Sequence, residues 1–205
     1  MTEIPEELAP VVEKKETWLD FLRFALIATL IVVPIRLFIA QPFIVSGLSM
    51  VPNFQNGNYL IIDELSYRFE APKRGEVIVF RFPYQQSKFL IKRIAGLPNE
   101  TITIKDDTVT ITNAEHPEGF VWQQGTITSS GRKADQTVTL GASEYFVLGD
   151  NRDESADSRL WGTLPRELIT GRPILRLLPL SQFAFFPAVW SDTPVVASGT
   201  PALTP

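Results

Sequence analysis

The chain has 205 residues, 44% of them hydrophobic, and a net charge of −4, so it can form a folded core but lacks the basic excess typical of nucleic-acid-binding surfaces. It contains no cysteine, which excludes a thiol nucleophile, a disulfide framework and thiolate metal ligands. Its single histidine, His116, argues against a histidine-based metal site. We expect no metal, no organic cofactor and no nucleic-acid partner.

The first 40 residues predict a membrane anchor. Residues 1–17 are polar and rich in glutamate, which is typical of a loosely ordered tail. Residues 18–40 are mostly apolar and would span about 35 Å as a helix, against a hydrocarbon core of about 30 Å. Basic residues are more frequent before this stretch than after it, which favours a cytoplasmic N-terminus and a catalytic region outside the membrane.

Two other interpretations of residues 18–40 stay open. A buried core helix would have to hide both Arg23 and Arg36. A cleaved signal peptide would need Ala40 as its cleavage site, yet bulky Phe38 lies at −3 and Pro42 lies just beyond. We therefore favour an uncleaved, single-pass anchor.

The chain from residue 55 onwards has a β pattern. Alternating or continuous apolar runs predict eight strands, and Asp106-Asp107 predicts a hairpin between two of them. A single short helical segment is expected at 166–169, residues 113–136 are expected to be a polar loop, and residues 187–205 are expected to be disordered. The predicted strands cover residues 59–62, 76–82, 89–95, 101–105 with 108–112, 138–140, 144–148 and 174–178.

The turn that contains Ser49 and the strand that contains Lys92 are candidates for chemistry. Residues 45–52 could be an ordinary polar turn or could present Ser49 as a nucleophile, which needs a base to accept its proton. Period-two alternation puts Lys92 on the same strand face as Leu90 and Ile94. There it could snorkel outward, or it could be desolvated, with a lowered pKa that makes it a general base.

The acidic stretch 149–162 allows a structural network or an acidic turn. It carries carboxylates at Asp150, Asp153 and Asp157. Arg152 and Arg159 could each fork onto a carboxylate, and a hydroxyl such as Ser155 could orient a neighbouring amine. The spacing of a calcium-binding loop is absent. His116 lies in a polar loop and is expected to be a solvated side chain.

Four stretches, in this order, resemble the sequence boxes of bacterial type I signal peptidase, also called leader peptidase, a family of Ser-Lys dyad serine proteases. They are Ser49–Pro52, Arg74–Phe80, Ile91–Pro98 and Gly149–Arg159. The resemblance implies a mainly β fold with two antiparallel β-domains and an N-terminal transmembrane helix. The catalytic domain would cover residues 41–186, with a small inserted subdomain at about 100–143.

The resemblance also implies roles for individual residues. Ser49 would be the nucleophile, Lys92 the general base and Ser155 the hydroxyl that holds the lysine. Asp157 and Arg159 would form a supporting salt bridge next to Asp150 and Arg152. Gly47 occupies the position where some relatives carry a serine that binds the oxyanion, so the main-chain N–H of Ser49 is the remaining donor. Asn53 stands where the family usually has threonine.

The function implied is removal of signal peptides from exported preproteins, with cleavage after a small residue and another small residue at −3. The enzyme would sit in the bacterial cell membrane, in contact with lipid and near the secretion translocon. Two alternatives are a self-cleaving Ser-Lys repressor and a non-catalytic anchored β-module. The repressor is disfavoured because the chain lacks a basic DNA-binding domain.

Overall fold

A computed structural model describes residues 18–34, 40–123 and 135–186. The predicted tails, 1–17 and 187–205, lie outside these residues. The described part contains a long helix, α1 (Trp18–Pro34), a short one, α2 (Ser158–Trp161), and twelve strands. The strands are β1 (Ala40–Ile44), β2 (Tyr59–Asp63), β3 (Val77–Phe82), β4 (Gln85–Gly96), β5 (Thr101–Lys105), β6 (Thr108–Thr112), β7 (Phe120–Val121), β8 (Gln136–Thr139), β9 (Glu144–Leu148), β10 (Leu164–Pro165), β11 (Ile169–Leu178) and β12 (Ala184–Phe185).

Eight strands form one antiparallel sheet. Its order is β1-β2-β11-β3-β4-β9-β10, and β12 pairs with β11. The longest strand, β4, lies between β3 and β9, so Lys92 sits opposite Ile78, and its neighbour Arg93 sits opposite Leu148. The fold is therefore mainly β with antiparallel pairing, as predicted.

The other four strands form a second antiparallel sheet, in the order β7-β6-β5-β8. Asp106 and Asp107 join β5 to β6 with φ angles of 47° and 64°. A two-residue hairpin turn needs positive φ at both positions, and aspartate tolerates it better than most residues. The predicted hairpin is confirmed, and the sheet falls within the range expected for the inserted subdomain.

The second sheet shares a core with the first. Ile102, Ile111 and Trp122 of the second sheet region pack with Phe146 and Leu148 of β9. Two further apolar clusters lie on the first sheet: one is built around Phe80 and Val147, the other around Met50 and Phe54. The division into two domains stays a prediction.

The predicted strands are confirmed to within a few residues, apart from β11, which starts five residues earlier. Strands β1, β10 and β12 were not predicted, and three further corrections are needed. Strand β7 lies in the region expected to be loop, because a two-residue strand is too short to show alternation. The expected helical segment at 166–169 is a 3-10 turn, Arg166–Leu168. Helix α2 was not predicted; the side chain of Asp157 caps it by accepting from the main-chain N–H of Arg159.

Helix α1 covers the first 17 residues of the segment expected to be an anchor, and Ala40 at its other end belongs to β1. In the described residues, no helix combines the length and the apolar character needed to cross a membrane.

Candidate active site

Ser49 lies on the turn between β1 and β2, and buried neighbours hold this turn in place. Val45 donates its N–H to the carbonyl of Asn58 at 2.9 Å, and Gly57 donates to the carbonyl of Val45 at 2.9 Å. Met50 and Phe54 are buried in the apolar cluster under the turn. Ser49 is therefore presented at the surface by a rigid turn.

Lys92 reaches this serine from β4. Its side chain is buried, with 3% of its surface exposed. The Nζ atom lies 2.6 Å from Ser49 Oγ and donates to the carbonyl of Ile91 at 2.9 Å. The structure thus brings the two predicted catalytic residues into direct hydrogen-bond contact, although 43 positions separate them in the chain.

Burial lowers the pKa of Lys92 from its ordinary value of 10.5 to about 8. Asp157 and Asp150 oppose this shift because their negative charges favour the ammonium form, whereas Lys88 adds to it. Near pH 8 about half of the lysine is therefore a neutral amine, which can accept a proton from the serine hydroxyl.

Asp150 is held by a buried arginine that the sequence analysis did not single out. Arg93 donates from Nε to Asp150 Oδ1 at 2.8 Å and from Nη2 to Asp150 Oδ2 at 2.7 Å. Asn53 donates its side-chain amide to the same carboxylate at 2.8 Å. The next residue, Asn151, donates its N–H to the carbonyl of Ser49 at 3.0 Å. The acidic loop is thus bonded to Ser49 through Asn151 and to Asn53 through Asp150.

Asp157 is the second anchor of the acidic loop. Arg159 forks onto it through Nε at 2.8 Å and Nη2 at 2.9 Å, and Gly149 donates its N–H to Asp157 Oδ2 at 3.0 Å. Arg159 Nη2 also donates to the carbonyl of Arg152 at 2.6 Å, and Arg152 Nε donates to the carbonyl of Gly149 at 3.2 Å. The predicted pair of Asp157 and Arg159 is present, and Arg152 bonds within the loop.

Ser155 lies against Gly149, whose backbone approaches the carbonyl of Ser49. A Cβ atom on Gly149 would collide with Ser155 and would lie 2.6 Å from the carbonyl oxygen of Ser49. The Oγ atom of Ser155 is buried and has no hydrogen-bond partner among the described residues. The structure therefore places Ser155 at the site but gives it no bond to Lys92.

Gly47 lies on the Ser49 turn with a φ of 102°, a conformation that L residues rarely adopt. Its N–H donates to Asn56 Oδ1 at 3.0 Å. Glycine therefore suits the backbone of this turn, and the position carries no side chain that could act on a substrate.

An apolar cleft of about 120 Å³ opens beside the serine and lysine. Its walls come from β1, β2, β3 and β4, and none of these wall residues was predicted from the sequence. They include Phe43, Ile44, Leu60, Val79 and Ile91.

Residues 18–178 match the family described as signal peptidase, peptidase S26. The chain belongs to this family. It is a peptidase of the serine endopeptidase class. The relatives to which it is similar are signal peptidases. It is 34% identical over 155 residues to signal peptidase I of Leptolyngbya laminosa, which covers 72% of this chain and 73% of that protein. It is 32% identical over 167 residues to signal peptidase I of Bacillus caldolyticus, which covers 78% of this chain and 91% of that protein.

A crystal structure of a signal peptidase I from Enterococcus faecalis V583 is 28% identical to the peptidase. The match covers 50% of this chain and 97% of the chain in that crystal structure, with a TM-score of 0.42.

His116 of the peptidase lies away from the cleft. It follows β6 in the second sheet, where its ring packs on Phe120 and its Nδ1 lies 3.6 Å from Glu118 Oε1. No group of His, Asp or Glu side chains suited to holding a metal ion occurs in the described residues.

Three contributors to the peptidase site were missed from the sequence: Arg93, Asn53 and the main-chain N–H of Asn151. One signal was available for Arg93. An arginine inside an apolar strand must be neutralised when buried, and a carboxylate such as Asp150 was the natural partner.

The burial of Lys92 predicts a pH-dependent free energy of unfolding. The folded pKa of about 8 lies below the unfolded value of 10.5, so between these pH values the unfolded chain binds more protons and stability rises with pH. The stability advantage of Lys92→Met over the wild type should therefore shrink by on the order of 3 kcal/mol between pH 8 and 10.5. Urea unfolding of both proteins at pH values across this range measures the difference in their free energies of unfolding. Ser49→Ala retains the lysine and should run parallel to the wild type; a constant gap for Lys92→Met would contradict the lowered pKa.

Proposed function

We propose that this chain is a membrane-anchored serine endopeptidase that removes N-terminal signal peptides from exported preproteins by a Ser-Lys dyad. Membership of the signal peptidase family supports the reaction class. The observation that carries the assignment of residues is the 2.6 Å contact between Ser49 Oγ and a buried Lys92.

In the proposed reaction, Ser49 Oγ attacks the carbonyl carbon of the scissile bond while neutral Lys92 takes the hydroxyl proton. Lys92 then gives this proton to the leaving amine, and an acyl-enzyme ester remains on Ser49. Water, deprotonated by Lys92, hydrolyses the ester and frees the enzyme. The main-chain N–H of Ser49 is the proposed donor to the oxyanion, since Gly47 offers no hydroxyl.

The acidic loop is proposed to keep Ser49 and Lys92 in the correct relative position. Asp150, with Arg93, and Asp157, with Arg159, fix the backbone that bonds to the carbonyl of Ser49. Ser155 is proposed to hold the amine of Lys92 during the reaction. Its buried, unpartnered Oγ beside Gly149 supports this role.

The proposed specificity is for small side chains at −1 and −3 of the substrate. The family resemblance supports this specificity, and the mainly apolar walls of the cleft beside Ser49 favour uncharged side chains over charged ones.

Anchoring by residues 18–40 is proposed from the exposed surface of α1. Large apolar side chains face outward around the whole helix; Trp18, Phe21, Phe24 and Leu30 are each at least 68% exposed. A helix that is apolar all round is stable only when other apolar groups cover it. Exposed Leu180, Phe183 and Phe185, near the end of β11, form an apolar patch that suits contact with lipid. With a cytoplasmic N-terminus, the β region would work outside the membrane, near the translocon.

The dyad predicts that Lys92→Ala and Lys92→Arg both lose activity. Removing a general base costs about 100- to 10,000-fold, and arginine stays charged, so it cannot accept the proton. His116→Ala should keep wild-type kcat/KM. In the wild type and in His116→Ala alike, kcat/KM should fall as pH drops below about 8, because Lys92 becomes protonated. Cleavage of a purified preprotein, with Ser49→Ala as the inactive control, measures this. Full activity of Lys92→Ala would show that another group is the base.

The proposed specificity predicts a strict requirement for a small side chain at −1. Replacing alanine with leucine at −1 of a preprotein should remove most cleavage, whereas the same replacement at −2 should have little effect. The cleavage rates of the substrates, measured side by side on gels, test this prediction. Equal cleavage of the alanine and leucine substrates at −1 would overturn the proposed specificity.

The anchor predicts that the full chain stays in the membrane fraction after an alkaline carbonate wash. N-terminal sequencing of the membrane-bound protein should find residues before Trp18. A charge in the middle of the helix costs about 3 kcal/mol of insertion free energy, so Leu26→Arg should release protein into the supernatant. Leu160→Arg, at an equally exposed position outside the helix, should not. A mature chain that starts near Gln41 would refute the anchor.

A further inference from the structure

A second cleft, of about 550 Å³, lies away from the serine and lysine and shares no lining residue with the apolar cleft. It is lined by three arginines, Arg68, Arg81 and Arg166, and by two carboxylates, Glu64 and Glu167. The peptidase mechanism uses none of these side chains. With three positive and two negative groups, the lining carries a net charge of +1 (3 − 2) on a protein whose overall charge is −4.

Two of the arginines in this cleft, Arg68 and Arg81, make no direct salt bridge, although both act electrostatically on the Glu64 carboxylate, whose pKa burial raises and these two charges lower. Among the described residues, no carboxylate lies within salt-bridge distance of the guanidinium group of Arg68 or Arg81. Four other arginines with largely buried side chains differ, because each forms a salt bridge with a carboxylate: Arg74 with Glu100, Arg93 with Asp150, Arg159 with Asp157 and Arg172 with Glu70. The cleft therefore presents guanidinium groups whose donors remain available to an anion.

The third arginine is fixed in position. Arg166 Nη2 donates to the carbonyl of Tyr67 at 2.5 Å, and its guanidinium group lies 5.5 Å from the centre of the Tyr67 ring. Tyr67 is itself held by a 2.7 Å hydrogen bond from its hydroxyl to Glu76. One wall of the cleft is thus organised before any ligand arrives.

The cleft adjoins the point where the chain leaves α1. Gln41, the second residue of β1, donates its side-chain amide to Glu64 of the cleft at 3.4 Å. Only six Cα steps separate Pro34 from Ala40, so the end of α1 lies at most about 22 Å from the start of β1. Two aromatic side chains follow cleft arginines in the chain: Phe69, 83% exposed, comes directly after Arg68, and Tyr84, 77% exposed, comes three residues after Arg81. Tyrosine is enriched at membrane–water interfaces, and exposed phenylalanine is typical of apolar faces that enter them.

We propose that this cleft binds the phosphodiester head group of an anionic phospholipid, with Arg68 and Arg81 as the groups that contact the phosphate. Arginine suits phosphate because its planar fork can donate two parallel hydrogen bonds. A phosphodiester carries one negative charge, which matches the net charge of +1, whereas free phosphate carries about −1.5 to −2 at pH 7. The proposal rests on the membrane anchoring proposed above, and the bond between Gln41 of β1 and Glu64 of the cleft is the observation that links the cleft to the anchor.

The test uses the full chain in a non-ionic detergent and native mass spectrometry with short-chain phosphatidylglycerol. We expect one saturable lipid, bound at least tenfold more weakly by Arg68→Gln and by Arg81→Gln. The matched control is Lys105→Gln, which removes one exposed positive charge on the second sheet and should change affinity less than twofold. Phosphatidylcholine of the same chain length, and glycerol 3-phosphate without acyl chains, should bind at least tenfold more weakly than phosphatidylglycerol.

Several results would overturn the proposal. An equal loss of affinity in Lys105→Gln would indicate general charge attraction, and equally tight binding of glycerol 3-phosphate would indicate a site for free phosphate. Preprotein cleavage by Arg68→Gln in detergent should match the wild type. A protein that cleaves preprotein and stays in membranes but binds no phosphatidylglycerol would refute the lipid site alone, and the proposed function would stand.

Discussion

The burial of the Lys92 amine beside Ser49 is the interaction on which the rest of the site depends. An amine in apolar surroundings loses its proton more readily, but Asp150 and Asp157 lie near enough to favour the charged form. Each of these carboxylates is forked by an arginine, Arg93 or Arg159. The two salt bridges therefore hold both carboxylates in the loop, while burial of the amine outweighs their attraction and keeps the pKa of Lys92 below its ordinary value.

The two segments that form the site are joined by a small number of bonds. Asn151 bonds to the carbonyl of Ser49, and Asn53 bonds to Asp150, so the serine turn and the acidic loop are tied together at both ends of the turn. Gly149 allows this approach, since any side chain there would meet Ser155 and the carbonyl of Ser49.

The sequence was sufficient to predict most strands of the fold, because alternation in runs such as 101–105 and 108–112 is a local signal. Strands of two residues, such as β7 and β10, carry no period and could not be found. Strand β1 was hidden because its first residue continues the apolar run of α1. For the site, the serine and lysine could be selected from the motifs, and the strand pattern alone left Lys92 undecided. The partner of Arg93 and the walls of the cleft depend on contacts between distant strands, which no local pattern encodes.

The shared core between the two sheets has a consequence for how the site assembles during folding. Arg93 and Asp150 are 57 positions apart in the chain, so closing that loop from an unstructured state costs conformational entropy. The β5–β6 hairpin and its pairing with β8 bring residues 101 and 139 side by side. Once the second sheet has formed, the loop that remains between β4 and β9 is short. Formation of the second sheet thereby brings the acidic loop close to β4, the strand that carries Lys92.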